Sequence, residues 1–203
     1  KDRDYYPVFE AEDARILKEG KPDYIAINYY STATIAESRG DGSDVAARAG
    51  DQQIMLGEEG VYRPAENDYV SKTPYGWVVD PVGLRLTLRR LYDRYELPIM
   101  ITENGYGAQD EVDSDGKIHD GERIDYLSKH INQIQLALTD GVQVIGYCPW
   151  SAIDVVSTHQ GFNKRYGFVY VDRTDQDLKE LTRIKKDSFE WYQQVIRHNG
   201  TDF

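Results

Sequence analysis

Blocks of apolar and polar positions alternate along the chain in a way that predicts strands separated by helices. Three short apolar runs, at residues 23–30, 97–101 and 142–147, have the length of strands buried in a parallel sheet. A short helix is predicted around residues 12–19, ending at Gly20. Three further helices have apolar faces formed by Leu84, Leu88, Leu91 and Tyr95, by Ile124, Leu127, Ile131, Ile134 and Leu138, and by Phe189, Tyr192 and Ile196.

The remaining segments set the expected architecture. Residues 31–76 have no sustained periodicity and predict a long loop, whereas residues 167–171 predict a short extended piece. Neither a repeat nor a low-complexity linker interrupts the chain, so we expect one domain over residues 1–203. Strands that alternate with helices predict an α/β fold with a parallel sheet. Three core strands cannot close a barrel, which leaves an open sheet or the C-terminal part of a barrel.

Composition excludes several classes of partner. The net charge of −11 and the pI near 4.8 argue against nucleic acid and anionic membranes. No apolar stretch has the length of a membrane span, and Lys1–Asp4 does not resemble a signal peptide. The single cysteine, Cys148, cannot form an internal disulfide, which suits the cytoplasm, and we expect it to be a small buried hydrophobe. The chain begins without Met, so we expect it to be part of a longer protein.

Candidate chemistry lies where the predicted strands end. The first strand ends with Asn28 and Tyr30, the second with Glu103, and the third with Trp150. In parallel α/β folds these carboxyl ends share one rim, where catalytic residues gather. A carboxylate, a phenol and an aromatic plane on one rim suit a glycosidase, in which the carboxylate attacks the anomeric carbon.

With these motifs the chain resembles the family 1 glycoside hydrolases over nearly its whole length. The matching segments are residues 27–30, 101–105, 150–154, 164–172 and 186–192. The family fold is a TIM (β/α)8 barrel, so the resemblance implies that this chain is the C-terminal part, about strands six to eight. By the same resemblance the catalytic residues are Glu103, the retaining nucleophile, and Tyr30, its hydrogen-bond partner. It also implies that Asn28 lies in the cleft, that Trp77 is an aglycone-side platform and that Trp150 forms the floor under the glycone.

A departure from the common family pattern points to a phosphorylated substrate. The Glu that accepts hydrogen bonds from the sugar in the family's glucosidases is replaced here by Ser157, and Lys164 and Tyr166 follow. Loss of an anion and gain of an ammonium and two hydroxyls favour a phosphate. This set resembles the phosphate site of the 6-phospho-β-glycosidases. The alternative is a Ser in a turn, with Lys164 and Tyr166 on a solvated hairpin.

By the same resemblance, the small Thr158, in place of a Trp, implies a gluco rather than a galacto sugar. The sequence therefore predicts retaining hydrolysis of 6-phospho-β-D-glucosides in the cytoplasm. The substrate is expected to be a small phosphorylated β-glycoside, delivered by a sugar-uptake phosphotransferase system. The alternatives are an unphosphorylated β-glucosidase, a 6-phospho-β-galactosidase, and a non-catalytic remnant that binds sugar or protein.

Residues 111–122 nearly fit a calcium loop, with acids at positions 1, 3, 5 and 12 and Gly116 at position 6. Position 1 is Glu instead of Asp, and a strand instead of a helix precedes it. Asp115-Gly116 also predicts a tight turn, and Asp120 predicts an N-cap for the next helix. We therefore expect neither a metal nor a cofactor.

Half of the expected catalytic pair is missing. A retaining glycosidase needs a second carboxyl as acid/base, which in this family lies in an Asn-Glu-Pro segment on an earlier strand. No such segment occurs in these 203 residues, so we expect the chain alone to be inactive. A half-barrel also exposes strand edges and apolar faces, so we expect self-association or marginal stability.

Overall fold

A computed structural model describes residues 7–46 and 55–203 of the protein. The helices are α1 (Asp13–Glu19), α2 (Pro81–Tyr95), α3 (Gly121–Thr139) and α4 (Asp187–Arg197). The strands are β1 (Ile25–Asn28), β2 (Ile35–Glu37), β3 (Tyr62–Pro64), β4 (Ser71–Lys72), β5 (Val78–Val79), β6 (Ile99–Asn104), β7 (Val144–Pro149), β8 (Val169–Val171) and β9 (Arg183–Lys185). The three predicted core strands and the four predicted helices are all present.

The central feature is a three-stranded parallel sheet in the order β1-β6-β7. Helix α2 precedes the middle strand β6, and α3 connects β6 to β7. The register between β1 and β6 shifts after Ile27, so that Asn28 pairs with Glu103. Such an irregularity bends a strand and re-aims side chains. Here it occurs at the carboxyl ends, where the candidate chemistry lies.

The core lies between this sheet and helices α2 and α3. Ile99 and Ile101 of β6 are fully buried, and they pack in one cluster with Leu84 and Leu88 of α2. Three residues predicted to face inward are instead exposed: Tyr95, Leu138 and Ile196. Each lies in the last turn of its helix, where the helical period continues but the covering elements end. The prediction for these three positions was therefore wrong.

Residues 31–76 are not a loop throughout. Strands β2 and β3 pair antiparallel, and β4 pairs with β5 in a second hairpin. These strands have only two or three residues each, which is too short for an alternating pattern to be recognised. Part of the predicted loop, residues 47–54, lies outside the described ranges.

The extended piece predicted at residues 167–171 forms β8, which pairs antiparallel with β9 and not with the central sheet. One parallel bridge, between Ile153 and Val169, connects β8 to the segment that follows β7. Cys148 is half-buried, less than predicted. Within residues 7–46 and 55–203, no helix has the length and apolar character needed to cross a bilayer.

Candidate active site

Glu103 and Tyr30 are in direct contact at the rim of the sheet. The Tyr30 hydroxyl donates a hydrogen bond of 2.6 Å to Glu103 Oε2. Burial, followed by the hydrogen bond to Glu103, raises the pKa of Tyr30 far above its usual range. The phenol therefore keeps its proton at neutral pH and acts only as a donor to the carboxylate. A carboxylate oriented by a neutral donor is chemically suited to nucleophilic attack.

A pocket of 290 Å³ contains this pair together with most of the predicted site. Because the motifs predict that Trp150 lies under the glycone, we call it the glycone pocket. Its lining residues are Tyr30, Trp77, Glu103, Trp150, Val156, Ser157, Thr158, His159, Lys164 and Tyr166. Ser157, Lys164 and Tyr166 thus share one cavity with Glu103. Its volume is at the lower end of the range for small-molecule sites.

Three aromatic rings surround the ammonium of Lys164. Its side chain is almost fully buried, with the residue 1% exposed, and Nζ is 3.6 Å from the centroid of a Trp77 ring. The same Nζ is 4.8 Å from the ring centroid of Tyr75 and 5.5 Å from that of Tyr166. Aromatic faces attract an ammonium and hold it in place. This burial excludes the alternative in which Lys164 and Tyr166 lie on a solvated hairpin.

Buried ion pairs fix the segment that carries Lys164 and Tyr166. Between them, Arg165 Nη1 donates to Asp154 Oδ2 at 3.1 Å and to the carbonyl of Val171 at 2.9 Å. Asp154 also accepts the main-chain N–H of Gly167 at 2.9 Å and pairs with Lys186 Nζ at 2.8 Å. All three charged side chains are buried. The segment is therefore held from behind while Lys164 and Tyr166 face the pocket.

Two tryptophans line the glycone pocket in different ways. Trp150 is 37% exposed, so part of its ring is open to a ligand. Gly105 packs against the carbonyl of Trp150, and a Cβ there would come within 2.3 Å of that oxygen. Trp77 is 7% exposed and meets Tyr30 edge-on, with ring centroids 5.3 Å apart. The assignments of Trp150 as floor and of Trp77 as platform stay predictions.

Glu103 also lines a second pocket, of 760 Å³. We call it the outer pocket. Asn28 lines it, with Oδ1 accepting a hydrogen bond of 2.7 Å from Thr102. Most of its remaining wall comes from residues 29–34, 55–67 and 72–78, in which the sequence analysis singled out only Tyr30 and Trp77. Among the described residues, Tyr30, Trp77 and Glu103 are the ones that line both pockets.

Asp113 and Asp120 of the calcium-like segment hydrogen-bond to protein groups. Asp113 accepts the main-chain N–H groups of Asp115 and Lys117 at 2.9 and 2.8 Å, in the predicted turn at Gly116. Asp120 stands at the N-cap of α3, but its carboxylate does not cap that helix. It accepts from Ser188 at the start of α4, so the predicted N-cap position is confirmed but the capping hydrogen bond is not made. In the described part of the chain, no three His, Cys, Asp or Glu side chains are grouped to hold a metal ion.

Several residues near the site were missed by the sequence analysis. His159 lines the glycone pocket, and its Nδ1 is 2.8 Å from the Thr158 hydroxyl. Asn104 and Tyr126 are buried behind Tyr30 and bond to its main chain or that of Tyr29. Position alone gave a signal for Asn104, which directly follows Glu103. For His159 and Tyr126 the pattern gave none, because a loop residue and a residue on a helix face look ordinary in sequence.

A parallel α/β sheet whose rim presents a paired carboxylate and phenol beside tryptophan is the arrangement expected of a barrel glycosidase. The family model for glycosyl hydrolase family 1 matches residues 1–201, and the chain belongs to that family. The resemblance inferred from the motifs is thereby confirmed.

Individual relatives agree with this assignment. The chain is 44% identical over 199 residues to the aryl-phospho-beta-D-glucosidase BglC of Bacillus subtilis, covering 96% of this chain and 41% of the relative. It is 45% identical over 200 residues to BglA of the same organism, covering 98% of this chain and 40% of BglA. It is 41% identical over 192 residues to the 6-phospho-beta-glucosidase AscB of Escherichia coli, covering 94% of this chain and 38% of AscB.

A solved structure shows the same fold. The family 1 beta-glucosidase of Thermotoga maritima, in complex with castanospermine, matches with a TM-score of 0.76 at 32% identity. The match covers 99% of this chain and 40% of that structure. The chain thus spans about two fifths of the length of the relatives that it matches.

Proposed function

We propose that this chain supplies the nucleophile side of an enzyme that hydrolyses 6-phospho-β-D-glucosides with retention of configuration. The observation that carries the proposal is the glycone pocket, in which Lys164 and Ser157 share a cavity with the Glu103–Tyr30 pair. Nothing in a neutral sugar requires a buried ammonium at that end of the pocket. A phosphate does require positive charge, and hydrogen bonds to charged groups are the stronger kind.

The proposed chemistry follows from these roles. Glu103 Oε1 or Oε2 attacks the anomeric carbon, the glycosidic bond breaks, and the leaving oxygen takes a proton from an acid on another part of the barrel. Water then releases the sugar from Glu103 with the same group acting as base. Tyr30 orients the carboxylate, while Trp150 offers an aromatic plane to the sugar ring.

The anionic end of the substrate would lie against Lys164. The Ser157 hydroxyl and the Tyr166 phenol are the additional donors in the same wall of the pocket. Relatives whose names specify a phospho-glucoside are 39–45% identical to this chain, whereas beta-glucosidase A of Thermotoga maritima is 35% identical. These names support the phosphorylated substrate, and the small Thr158 supports the gluco form.

The acid/base group is proposed to come from outside these residues. Glu103 is the single carboxylic acid among the described residues that line the glycone pocket. The outer pocket adds Glu66, whose carboxylate pairs with Lys72 at the surface. A retaining mechanism needs two carboxyls about 5 Å apart. We therefore propose that this chain alone has no hydrolytic activity.

Lys164→Ala tests the phosphate assignment. The test uses the protein expressed from its complete reading frame, or a chimera in which this chain replaces the matched 200 residues of BglA; we call either one the completed enzyme. On an aryl 6-phospho-β-glucoside, kcat/KM should fall about 100-fold, because an interaction worth about 2–3 kcal/mol is lost. On the unphosphorylated aryl β-glucoside, the change should stay within about threefold.

Lys129→Ala is the matched control, because Lys129 is an exposed lysine on α3 that pairs only with Asp125 in the described structure. Lys129→Ala should leave kcat/KM unchanged on both substrates. Equal losses on the two substrates in Lys164→Ala would contradict the phosphate assignment and favour an unphosphorylated β-glucosidase. A preference of the unaltered enzyme for the 6-phospho-galactoside would contradict the gluco assignment.

A further inference from the structure

Asn104, directly after the proposed nucleophile, is fully buried and uses its whole amide. Nδ2 donates to the carbonyl of Tyr29 at 2.8 Å and to the hydroxyl of Tyr126 at 3.0 Å. Oδ1 accepts the hydroxyl of Tyr147 at 2.7 Å. A rotated amide would place two carbonyl oxygens against each other, so this network allows a single orientation. A buried network with every member satisfied is rigid.

Tyr126 extends the network from α3 to the catalytic pair. Its hydroxyl donates to the main-chain carbonyl of Tyr30 at 2.9 Å while it accepts from Asn104. Burial raises the pKa of Tyr126 well above its usual range, so the hydroxyl keeps the proton that it donates. The ring stacks on His130, with centroids 3.9 Å apart, which restricts its movement. The donor is therefore fixed in both distance and direction.

The main chain at Tyr29 and Tyr30 is thus held at successive atoms. The Tyr29 N–H donates to the carbonyl of Glu103 at 2.8 Å, and the carbonyls of Tyr29 and Tyr30 accept from Asn104 and Tyr126. These contacts set the position from which the Tyr30 side chain reaches Glu103. The phenol–carboxylate distance of 2.6 Å is the outcome. Tyr126 itself is absent from the lining of both pockets that contain Glu103.

We propose that Tyr126 is a positioning residue for the Tyr30–Glu103 pair. It acts through the main chain of Tyr30, and Asn104 fixes the direction of its hydroxyl. The inference rests on the proposed function, because it takes Glu103 as the nucleophile and Tyr30 as its partner. A tyrosine that only filled the core would need its ring but not its hydroxyl.

Tyr126→Phe in the completed enzyme removes the hydroxyl and keeps the ring. We expect kcat on the aryl 6-phospho-β-glucoside to fall about tenfold, with KM changed less than twofold, because misplacement of a catalytic group affects the chemical step. Tyr106→Phe is the control. Tyr106 packs on the Tyr126 ring at 5.6 Å and donates to Glu122, away from the pair, so its kcat should stay within twofold. Unchanged kcat in Tyr126→Phe would overturn the proposal.

The Tyr30→Phe background tests whether Tyr126 acts through Tyr30. There, adding Tyr126→Phe should cause no further loss of kcat, whereas additive losses would overturn the proposal. A crystal structure of Tyr126→Phe should show the Tyr30 Oη–Glu103 Oε2 distance lengthened beyond about 3.2 Å, and an unchanged distance would also overturn it. If Tyr126→Phe does not fold, Tyr147→Phe should lower kcat in the same direction, and again not in the Tyr30→Phe background.

Glu103→Gln separates this inference from the proposed function. Retained activity in Glu103→Gln would contradict the nucleophile assignment itself. An inactive Glu103→Gln together with a Tyr126→Phe that keeps its kcat would contradict only the positioning role.

Discussion

His130 is a buried histidine whose protonation is coupled to the stability of the site. It is fully buried, its Nδ1 donates to the carbonyl of Tyr126 at 2.7 Å, and its ring stacks on that of Tyr126. Burial lowers its pKa to about 4. The imidazole is therefore neutral in the folded protein at neutral pH. A proton on Nε2 would place a charge behind the residue that holds the Tyr30 main chain.

This shift makes a stability prediction with a definite sign. An unfolded histidine has a pKa near 6.5, so between pH 6.5 and about 4 the unfolded chain binds the extra proton. The stabilisation is complete above pH 6.5 and is lost as the pH falls. From pH 7.5 to pH 5, the free energy of unfolding of the completed enzyme should fall by about 2 kcal/mol more than that of its His130→Phe variant. Urea denaturation at the two pH values measures the difference.

His119 is the control of opposite sign. The hydrogen bond to Asp187 and the neighbouring Asp113 raise the pKa of this exposed histidine. Its protonated form stabilises the fold at low pH, and this stabilisation is lost as the pH rises. In His119→Gln the free energy of unfolding should therefore fall more steeply on acidification than in the unaltered enzyme. The same pH dependence in the unaltered enzyme and in His130→Phe would contradict the assignment to His130.

At the residue scale, the sequence predicted the side chains that face the pocket better than those that hold them. Glu103, Tyr30 and Lys164 are recognisable because strand ends and departures from a motif are visible in sequence. Asn104 and Tyr126 are not recognisable in this way. Their hydrogen-bond partners lie 22 to 96 positions away in the sequence, and two of these partners are main-chain carbonyls. Such contacts depend on how strands and helices are packed, which periodicity does not specify.

At the scale of elements, helices α3 and α4 are joined at their first turns. Asp120 at the start of α3 accepts the main-chain N–H of Ser188 at 2.9 Å and also pairs with the buried Arg123. Arg123 reaches Asp110, which in turn pairs with Lys186 at 2.5 Å. Removing one member of such a buried network leaves an uncompensated charge.

Asp120→Ala should therefore lower the free energy of unfolding of the completed enzyme by about 3–5 kcal/mol. Asp125→Ala is the matched control on the same helix, since its pair with Lys129 is solvent-exposed and should contribute less than about 0.5 kcal/mol. Urea denaturation with equal m-values gives the comparison. Equal small losses in the two variants would show that the link between α3 and α4 contributes little to stability.

Long periodic elements were predictable and short ones were not. Helices α2 and α3 have 15 and 19 residues, enough turns for an apolar face to stand out. Strands β4 and β5 have two residues each, which is too few for an alternation of apolar and polar residues. Only their backbone pairing identifies them as strands. The hairpin of β8 and β9 was also missed, because the alternation of residues within one strand does not indicate which other strand it pairs with.

At the scale of the whole molecule, the acidic chain concentrates buried positive charge around its site. The net charge is −11, yet Lys164, Arg165, Arg123 and Lys186 are all buried near the strand ends or behind them. Buried ion pairs join Arg123 to Asp110 and Asp120, Arg165 to Asp154, and Lys186 to Asp110 and Asp154. Total charge therefore gave no indication of these buried cations, because it does not depend on where the individual charges lie.

The 203 residues alone should hydrolyse no aryl 6-phospho-β-glucoside at an enzyme-like rate. A carboxylate nucleophile without a proton donor cannot release the leaving group efficiently. Turnover should appear when the purified chain is mixed with the part of BglA that lies outside the matched region. Turnover by the isolated chain would contradict the proposed division of the catalytic pair. Self-association through exposed strand edges stays a prediction, which sedimentation of the same sample measures.

The two pockets touch at only three residues, and this separation has a consequence for how specificity can diverge. Apart from the residues that follow β1, the outer pocket is built mainly from residues 55–78, whereas the residues proposed to bind phosphate lie between 156 and 166. Substitutions at Tyr75 or Trp77 would also disturb Lys164, which contacts both rings, whereas the outer-pocket residues between 55 and 67 are absent from the lining of the glycone pocket. If the outer pocket receives the leaving group, as the predicted platform role of Trp77 implies, changes between residues 55 and 67 would alter leaving-group preference and leave the proposed phosphate contacts in place.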